Sequence, residues 1–174
     1  MIESKNLRLR AVEPEDLENL LIWENSTALM RFGEAHLPYS RDLMQRYIET
    51  ASDDLYIAKQ FRFMLEILST GETIGHLDLH DFDPQHLRAA VGILIAQEQH
   101  RQQGWALEAL HLMEEYAYEA WGIYQLYAHI PVSNQASQAL FKKAGFEKSG
   151  QLKNWLRKGK HYEDVTIWQK NIAL

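Results

Sequence analysis

The segment from residue 88 to residue 130 constrains the fold of this chain more than any other stretch. It holds an apolar run, "RAAVGILIA" (88–96), then a helical pattern over roughly 103–121, and then a second strand-like run, "YQLYAHI" (124–130). Apolar residues in the helical pattern recur at steps of four, three, four and three, which is the spacing of one helix face. These residues are Ala106, Leu110, Met113, Ala117 and Ala120. Two strands joined by a helix form a crossover with parallel strands, so the sequence predicts an α/β sheet.

The patterns on either side of this crossover add further strands and helices. Before it, we expect a strand over 7–11, helices over 13–25 and 40–51, and a β-hairpin over 61–68 and 73–82. After it, we expect a helix over 133–145 and two closing strands near 146–156 and 161–171. No linker, repeat or low-complexity segment interrupts the chain, which favours a single domain over residues 1–174. The predicted fold class is α/β, with a mixed, mostly antiparallel sheet of about seven strands and about four helices.

Composition limits the partners and the compartment that we expect. The chain has 174 residues, a formal net charge of −6 and no cysteine. Nucleic-acid binders are usually basic, and without cysteine the chain can form neither a disulfide nor a thiolate ligand. The N-terminus does not resemble a signal peptide, and no apolar run approaches the ~20 residues of a membrane span. We therefore expect a cytoplasmic protein with no nucleic-acid and no membrane partner.

The turn that leads into the central helix lacks an ordinary cap. The stretch "EQHRQQGWALEAL" (98–110) contains Gly104 but no Ser, Thr, Asp or Asn. A helix start leaves about four backbone N–H groups without an internal partner, and such a site suits a phosphate. Water is the alternative partner for these groups. The dinucleotide and P-loop fingerprints are both missing, so the sequence predicts a phosphate site of another kind.

Four stretches resemble one known family. "AAVGILIAQEQHRQQGWALEAL" is similar to the acetyl-CoA-binding strand, turn and helix of the GNAT superfamily of N-acetyltransferases, whose signature Q/R-x-x-G-x-G/A is matched by Arg101, Gly104 and Ala106. "SNQASQALFKKAGFEKSG", "GKHYEDVTIW" and "LRLRAVEPEDLENLLIWEN" resemble further parts of one branch. That branch includes spermidine/spermine and ribosomal-protein N-terminal acetyltransferases. Together the matches cover nearly the whole chain.

The resemblance implies a binding site for acetyl-CoA as co-substrate. The pyrophosphate would be bound by backbone N–H groups of the turn, and the pantetheine arm would lie along the preceding strand, with further contacts from the next helix. The implied residues are Arg101, Gln102, Gln103, Gly104, Trp105 and Ala106 in the turn, Ile93, Leu94 and Ile95 in the strand, and Asn134 and Ser137 in the helix. Many members of the family carry glycine where this chain has Gln102.

The resemblance implies that a backbone N–H donates a hydrogen bond to the oxyanion during catalysis. In this family a tyrosine often serves as the general acid. The donor would be an N–H in the stretch from Leu94 to Ala96, and we name Leu94 as the candidate. The tyrosine position is Phe141, which has no hydroxyl. We therefore predict direct attack of an amine on acetyl-CoA in a ternary complex, with a catalytically weak CoA-binding sensor as the alternative.

A polar face is predicted on the strand "GHLDLHDFD". Alternation places His76, Asp78 and His80 on one face. A solvated strand face is one interpretation, and contact with the acceptor or base catalysis by Asp78 or His80 is another, because this strand lines the acceptor cleft in similar proteins. Two histidines and a carboxylate could also form a metal site, but neighbours two residues apart on a strand give strained geometry. We predict no metal.

The acceptor is expected to meet the N-terminal helices and the loop between them. Carboxylates beside aromatic rings suit a cationic amine. The candidate substrate-binding residues are Trp23, Glu24, Glu34, Tyr39 and Asp78. A polyamine, a protein N-terminus and an aminoglycoside-type drug all remain open as acceptors. His129 is a weaker cleft candidate, for which a structural role is favoured. Related proteins are often dimers or larger, so a homodimer is also open.

Overall fold

The computed structural model describes residues 2–30, 38–51 and 54–173. Within these ranges the strands are β1 (Ile2–Glu3), β2 (Leu7–Arg10), β3 (Phe61–Ile67), β4 (Glu72–Asp83), β5 (Arg88–Ile95), β6 (Gln125–Pro131), β7 (Glu147–Lys158) and β8 (His161–Asn171). The α-helices are α1 (Leu17–Glu24), α2 (Thr27–Met30), α3 (Arg41–Thr50), α4 (Leu55–Ala58), α5 (Trp105–Trp121) and α6 (Gln135–Lys143). None of the helices in the described ranges has the length and apolarity needed to cross a bilayer.

The strands form one sheet in the order β1-β2-β3-β4-β5-β6-β8-β7. Every neighbouring pair is antiparallel except β5 and β6, which are parallel and are joined through α5. The predicted α/β class, the mostly antiparallel sheet and the crossover are therefore confirmed. The structure adds three short elements to the predicted set, namely β1, α2 and α4. Each has two to four residues, which is too short to produce a periodic pattern.

Each face of the sheet is covered by different helices. On one face, α5 packs on the sheet through the fully buried Leu110 and Met113. On the opposite face, α1 and α3 cover the sheet, with Leu20 and Met44 buried against Met64 of β3. The second face is the one that carries the even-numbered residues of β4 from His76 to His80 and those of β5, because side chains alternate along a strand.

The predicted apolar stripe on α5 is correct along most of its length. Leu110, Met113 and Ala117 are fully buried, and Ala106 is half-buried, but Ala120 is exposed. A repeat of 3.5 residues drifts by about 20° per heptad around a helix of 3.6 residues per turn. The last member of the stripe has therefore rotated away from the sheet, and α5 ends one residue later at Trp121.

The parallel pair β5 and β6 separates partway along its length. The two strands are paired from Arg88 and Gln125 only as far as Ala90 and Tyr127. Beyond that point β5 stays paired with β4, and β6 stays paired with β8 up to Pro131. A gap therefore opens between β5 and β6 toward their carboxyl ends.

One half-buried lysine joins α5, α6 and β8 beside this gap. Lys170 on β8 donates to Glu114 Oε2 on α5 at 2.6 Å and to the carbonyl oxygen of Ala144, just after α6, at 2.7 Å. Glu114 is buried, which raises the pKa of its carboxyl, while Lys170 acts in the opposite direction. The pairing fixes α6 along one side of the gap.

Candidate active site

A groove of about 690 Å³ occupies the gap between β5 and β6. Its lining comes from the second half of β5, the turn before α5, the end of β6 and the exposed side of α6. Most of the residues that the sequence assigned to acetyl-CoA border it. These are Ile93, Leu94, Ile95, Arg101, Gln102, Gly104, Trp105, Ala106, Asn134 and Ser137. The remaining member of that set, Gln103, is exposed in the same turn, and its side chain bonds the carbonyl oxygen of Gln99.

The turn before α5 presents a row of backbone N–H groups to this groove. Gly104 is the N-cap residue, with φ +92° and no side-chain cap, and Gln102 also has a positive φ, +60°. Within the described part of the chain, the N–H groups from Gln102 to Leu107 have no acceptor. These groups and the positive end of the α5 dipole converge on the mouth of the groove. The arrangement suits a phosphate or pyrophosphate anion.

Arg101 uses its side chain to fix the turn rather than to reach into solvent. Its guanidinium donates to the carbonyl oxygens of Ile95, at 3.0 Å, and of Ala96, at 2.9 Å. It thereby supplies partners for two carbonyls at the end of β5. The side chain of Arg101 therefore has a structural role here, and the groups of the turn that suit an anion are backbone N–H groups.

The register of β4 and β5 decides which N–H groups point into the gap. Ala96 N–H donates to the carbonyl oxygen of Ile74, and hydrogen-bonded pairs alternate along an antiparallel ladder. The pair of His76 and Leu94 is therefore also hydrogen-bonded, which turns the N–H of Leu94 toward β4. The N–H of Ile95 points toward the gap. Within the stretch that the sequence indicated, the residue whose N–H faces the gap is therefore Ile95 and not Leu94.

The α6 side of the groove combines a helix cap and an aromatic pair. Asn134 Oδ1 accepts from the N–H of Ser137 at 3.1 Å, so its side chain caps α6 at the rim of the groove. Phe141 is 2% exposed, and its ring lies 4.9 Å from that of Phe146. Phe141 therefore packs in the core and brings no hydroxyl to the groove.

Beside the groove, on the face of the sheet that α1 and α3 cover, lies a compact group of charged side chains on β3, β4 and α1. Arg62 on β3 binds Asp78 on β4 with two bonds, Nε to Oδ1 at 2.6 Å and Nη2 to Oδ2 at 2.8 Å. A third bond joins Arg62 Nη1 to Glu24 Oε1 on α1 at 2.7 Å. His76 lies in the same group, with Nδ1 3.3 Å from Asp78 Oδ2, and its ring centroid is 6.2 Å from that of Trp23. We call these five residues the acidic wall.

The acidic wall has one carboxylate more than it has guanidinium groups. Two carboxylates face one guanidinium, so Glu24, Asp78 and Arg62 together carry one net negative charge when His76 is neutral. Burial by itself would raise the pKa of Asp78, but His76 and Arg62 beside the carboxylate hold that pKa well below its ordinary value. Burial also raises the pKa of Tyr47, whose ring lies 5.5 Å from the Arg62 guanidinium, to about 12. Asp78 therefore stays ionised and is a weak proton acceptor at neutral pH.

The other predicted acceptor residues lie further from this group or outside the described residues. Tyr39 is half-buried beside α1, where its backbone N–H donates to Asn25 Oδ1 at 2.7 Å. His80 is exposed near the end of β4, with Nδ1 3.2 Å from Asp81 Oδ2. Glu34 lies outside the described residues. In the described ranges, no three His, Asp or Glu side chains are grouped so as to hold a metal ion.

Arg62 and Tyr47 are the members of this site that sequence reasoning missed. Neither belongs to a motif. A usable signal was nevertheless present, because the hairpin predicted around Gly71 fixes which residues of its two strands face each other. In the structure Arg62 lies directly opposite Asp78.

Comparison with known proteins agrees with this geometry. The family model described as Acetyltransferase (GNAT) domain matches residues 6–147. The chain is 26% identical over 172 residues to the uncharacterized N-acetyltransferase YoaA of Bacillus subtilis, covering 99% of this chain and 94% of that protein. It is 28% identical over 157 residues to the spermidine N(1)-acetyltransferase of Escherichia coli K12, covering 87% and 78%.

Solved structures show the same fold. The spermidine N-acetyltransferase of Vibrio cholerae, in complex with CoA and spermine, superposes with a TM-score of 0.83 at 24% identity, covering 97% of this chain and 96% of that one. A second structure of that enzyme, described as dodecameric, has a TM-score of 0.79 at 23% identity and covers 97% and 95%.

Proposed function

The chain belongs to the acetyltransferase (GNAT) domain family and is an acetyl-CoA-dependent N-acetyltransferase, and we propose that its acceptor is a primary amine of a small polyamine. One observation carries this proposal. The groove between β5 and β6 begins at the unpartnered N–H groups of residues 102–107. The acidic wall lies on the other side of β5, because its residues His76 and Asp78 are on β4, the strand that pairs with β5 along that side. An anion site and a cation site therefore lie on either side of one strand.

The proposed position of acetyl-CoA follows from the backbone geometry of the turn before α5 and of β5. The N–H groups of residues 102–106 bind the pyrophosphate, and the pantetheine arm lies along the edge of β5 that β6 has left. The N–H of Ile95 donates to the oxyanion, because it points into the gap beside the reacting carbonyl. Such a donor, held in place before the reaction, stabilises the charge that develops in the transition state.

The acceptor end follows from the acidic wall. A polyamine is cationic at neutral pH, and one uncompensated negative charge on a partly buried surface attracts it more strongly than the same charge in water would. Asp78 and Glu24 orient the amine, whereas the ion pair with Arg62 keeps Asp78 from acting as the base. The relatives from Escherichia coli and Vibrio cholerae, which are named as spermidine acetyltransferases, support the same class of acceptor.

A thiol-release assay tests the proposed acceptor. Purified protein is mixed with acetyl-CoA and, in separate reactions, spermidine, spermine, an aminoglycoside and a peptide with a free N-terminus. We expect CoA release with the polyamines at a kcat/KM at least tenfold above that with the other amines. Preferential release with the peptide or the aminoglycoside would contradict the polyamine proposal while leaving the acetyltransferase activity intact.

A catalytically weak CoA-binding sensor is the second candidate function, and the buried Phe141 favours it. If Phe141 only packs in the core, Phe141→Tyr will leave turnover within about threefold of the parent or raise it, since a hydroxyl can only add a proton donor. The measurement is CoA release with spermidine for both proteins. Tight CoA binding without amine-dependent release from either protein would favour the sensor.

Self-association is also part of the proposal. The β7–β8 hairpin forms one end of the sheet and exposes Trp155 and Tyr162, each more than half exposed. Large exposed aromatic side chains on an edge strand are typical of interfaces. A homodimer is the smallest assembly that would cover them, and light scattering on the eluting protein will give the mass of the particle in solution. A monomer at micromolar concentration would contradict this part.

A further inference from the structure

Acetyl transfer to an amine requires a group that moves a proton, and Asp78, Phe141 and His76 are poorly suited to it. Asp78 is held by Arg62 with two hydrogen bonds, and its pKa is well below the ordinary value. Phe141 has no hydroxyl. His76 is 7% exposed and is enclosed between Glu24 and Asp78. A proton carrier must also reach solvent, which neither Phe141 nor His76 does.

Two imidazoles line the groove, those of His100 and His129. His100 is held by Glu72, with its Nε2 3.1 Å from Glu72 Oε1, and the sheet register explains the position of His129. On β5, Ala90 pairs with His80 of β4 and with Tyr127 of β6. Two residues further on, Gly92 pairs with Asp78, and the same register on β6 reaches His129. Side chains two apart on a strand share a face. His129 therefore points to the same face as Asp78, with Gly92 between them.

The space between Asp78 and His129 is open. Asp78 and His129 lie two strands apart, so their backbones are separated by about 10 Å at the regular strand spacing. The divergence of β5 and β6 increases this distance. Gly92 projects no side chain into this space, and a Cβ placed on it would meet no atom within 4 Å. The row of Asp78, Gly92 and His129 thus leaves room for a substrate with one ionisable group on each side.

His129 is free to exchange protons with this space. It is exposed, it lines the groove, and its nearest aromatic neighbour is Tyr127 on its own strand, with ring centroids 5.5 Å apart. In the part of the chain that the structure describes, His129 has no hydrogen-bond or ion-pair partner. Imidazole is the side chain best suited to take up and release a proton near neutral pH.

We propose that His129 carries the proton from the attacking amine to the departing CoA sulfur, an inference that rests on the proposed acetyltransferase function. The reacting amine first gives the proton of its ammonium form to solvent, and the neutral nitrogen then forms a bond to the thioester carbonyl carbon while the C–S bond breaks with its electron pair leaving on sulfur. The nitrogen loses one proton to His129, and His129 gives one proton to the sulfur. An amine and acetyl-CoA thus yield an acetamide and CoA thiol, with His129 unchanged.

His129→Ala and His129→Gln test this inference, with His86→Ala as the matched control. His86 is an exposed histidine in the turn between β4 and β5 and does not line the groove. Initial rates of CoA release are measured with acetyl-CoA and spermidine, with and without added imidazole, and the dissociation constant for CoA is measured by calorimetry. General acid–base groups typically contribute 10²–10⁴-fold. We expect both His129 variants to lose kcat by about 100-fold or more, with CoA affinity unchanged.

Imidazole distinguishes a proton carrier from a residue that only shapes the groove. Free imidazole should restore a large part of the turnover to His129→Ala, which leaves space for it, and should do nothing for His86→Ala. A kcat within about threefold of the parent in both His129 variants would overturn the inference while the parent remains active. A parent that releases no CoA with any amine would instead overturn the proposed function itself.

Discussion

Arg62 organises the acidic wall at the level of single residues, because its three hydrogen bonds join a helix to two strands. It binds Glu24 of α1 and Asp78 of β4 from its own place on β3. The two carboxylates are thereby held side by side, at a separation that their mutual repulsion would otherwise oppose. The wall keeps one negative charge for a cationic acceptor and remains rigid.

Replacing Asp78 by Asn should weaken acceptor binding more than it slows the reaction. The change removes the one uncompensated charge, since Glu24 and Arg62 then cancel each other. We expect the KM for spermidine to rise about fivefold or more, with kcat within about threefold. The measurement is steady-state CoA release at saturating acetyl-CoA. Glu66→Gln is the control, because Glu66 is likewise paired with arginine, through Arg8 and Arg10, but belongs to an ion-pair group that is separate from the acidic wall. An unchanged KM in a folded Asp78→Asn protein would contradict the role of this charge.

The same residue gives stability a particular pH dependence. The pKa of Asp78 in the folded protein lies below its value in the unfolded chain, so the carboxylate contributes stability above the unfolded pKa of about 3.9 and loses it as the pH falls further. An asparagine side chain does not titrate and has no such dependence. The difference in the free energy of unfolding between parent and Asp78→Asn should therefore be constant above about pH 5 and shrink below about pH 4. Urea unfolding at several pH values measures it, and a difference that grows on acidification would contradict the low pKa.

At the level of elements, the entrance of α5 functions through backbone geometry. Gly104 and Gln102 both have positive φ values, and Arg101 fixes the end of β5 from which the turn departs. The helix begins without a side-chain cap, and the N–H groups that a cap would have used remain available for an anion.

Gly104→Val should weaken CoA binding at this entrance. Valine at a positive φ is strained by roughly 1–3 kcal/mol, and its side chain would stand where the backbone has to approach the phosphate. We expect the CoA dissociation constant to rise about tenfold, which corresponds to ~1.4 kcal/mol. Gly71→Val is the matched control, because Gly71 has a similar φ of +71° and open space around it but lies in the turn between β3 and β4. Equal CoA affinity in both variants would remove the turn from the proposed site.

Gly75 on β4 and Gly92 on β5 should differ in what their replacement by alanine changes, stability in the first case and acceptor binding in the second. A Cβ on Gly75 would lie 1.9 Å from the carbonyl oxygen of Leu94, so Gly75→Ala would push β4 and β5 apart. We expect it to lower the free energy of unfolding by at least about 2 kcal/mol. Gly92→Ala meets nothing within 4 Å and should keep its stability, while its methyl group enters the space beside Asp78 and raises the acceptor KM. Urea unfolding and CoA release separate the two effects, and a stable Gly75→Ala would show that the strands can yield.

At the level of the whole molecule, local patterns predicted the elements and their order, because each long helix and strand has its own periodicity. The helix predicted over 40–51 is α3, with Ser40 as its N-cap, and α5 begins after Gly104, within the predicted turn. What depends on pairing between distant strands could not be predicted in the same way. The direction of the N–H of Ile95 follows from the register between β4 and β5, and a shift of one residue would reverse that direction. The divergence of β5 from β6 likewise depends on how distant strands pair.

The gap between β5 and β6 also couples the heat resistance of the protein to its co-substrate. Half of the backbone polar groups along the end of β5 face no strand, so the folded chain carries an open edge in the middle of its own sheet. A ligand that binds only the folded state stabilises it by about 2.7 kcal/mol at 100 times its dissociation constant, which for a chain of this size corresponds to a rise in Tm of about 5–11 °C. CoA at that excess should produce such a rise in a calorimetric scan, and Gly104→Val should reduce it at the same CoA concentration. The cell's supply of acetyl-CoA would then set how much of this protein stays folded during heat stress.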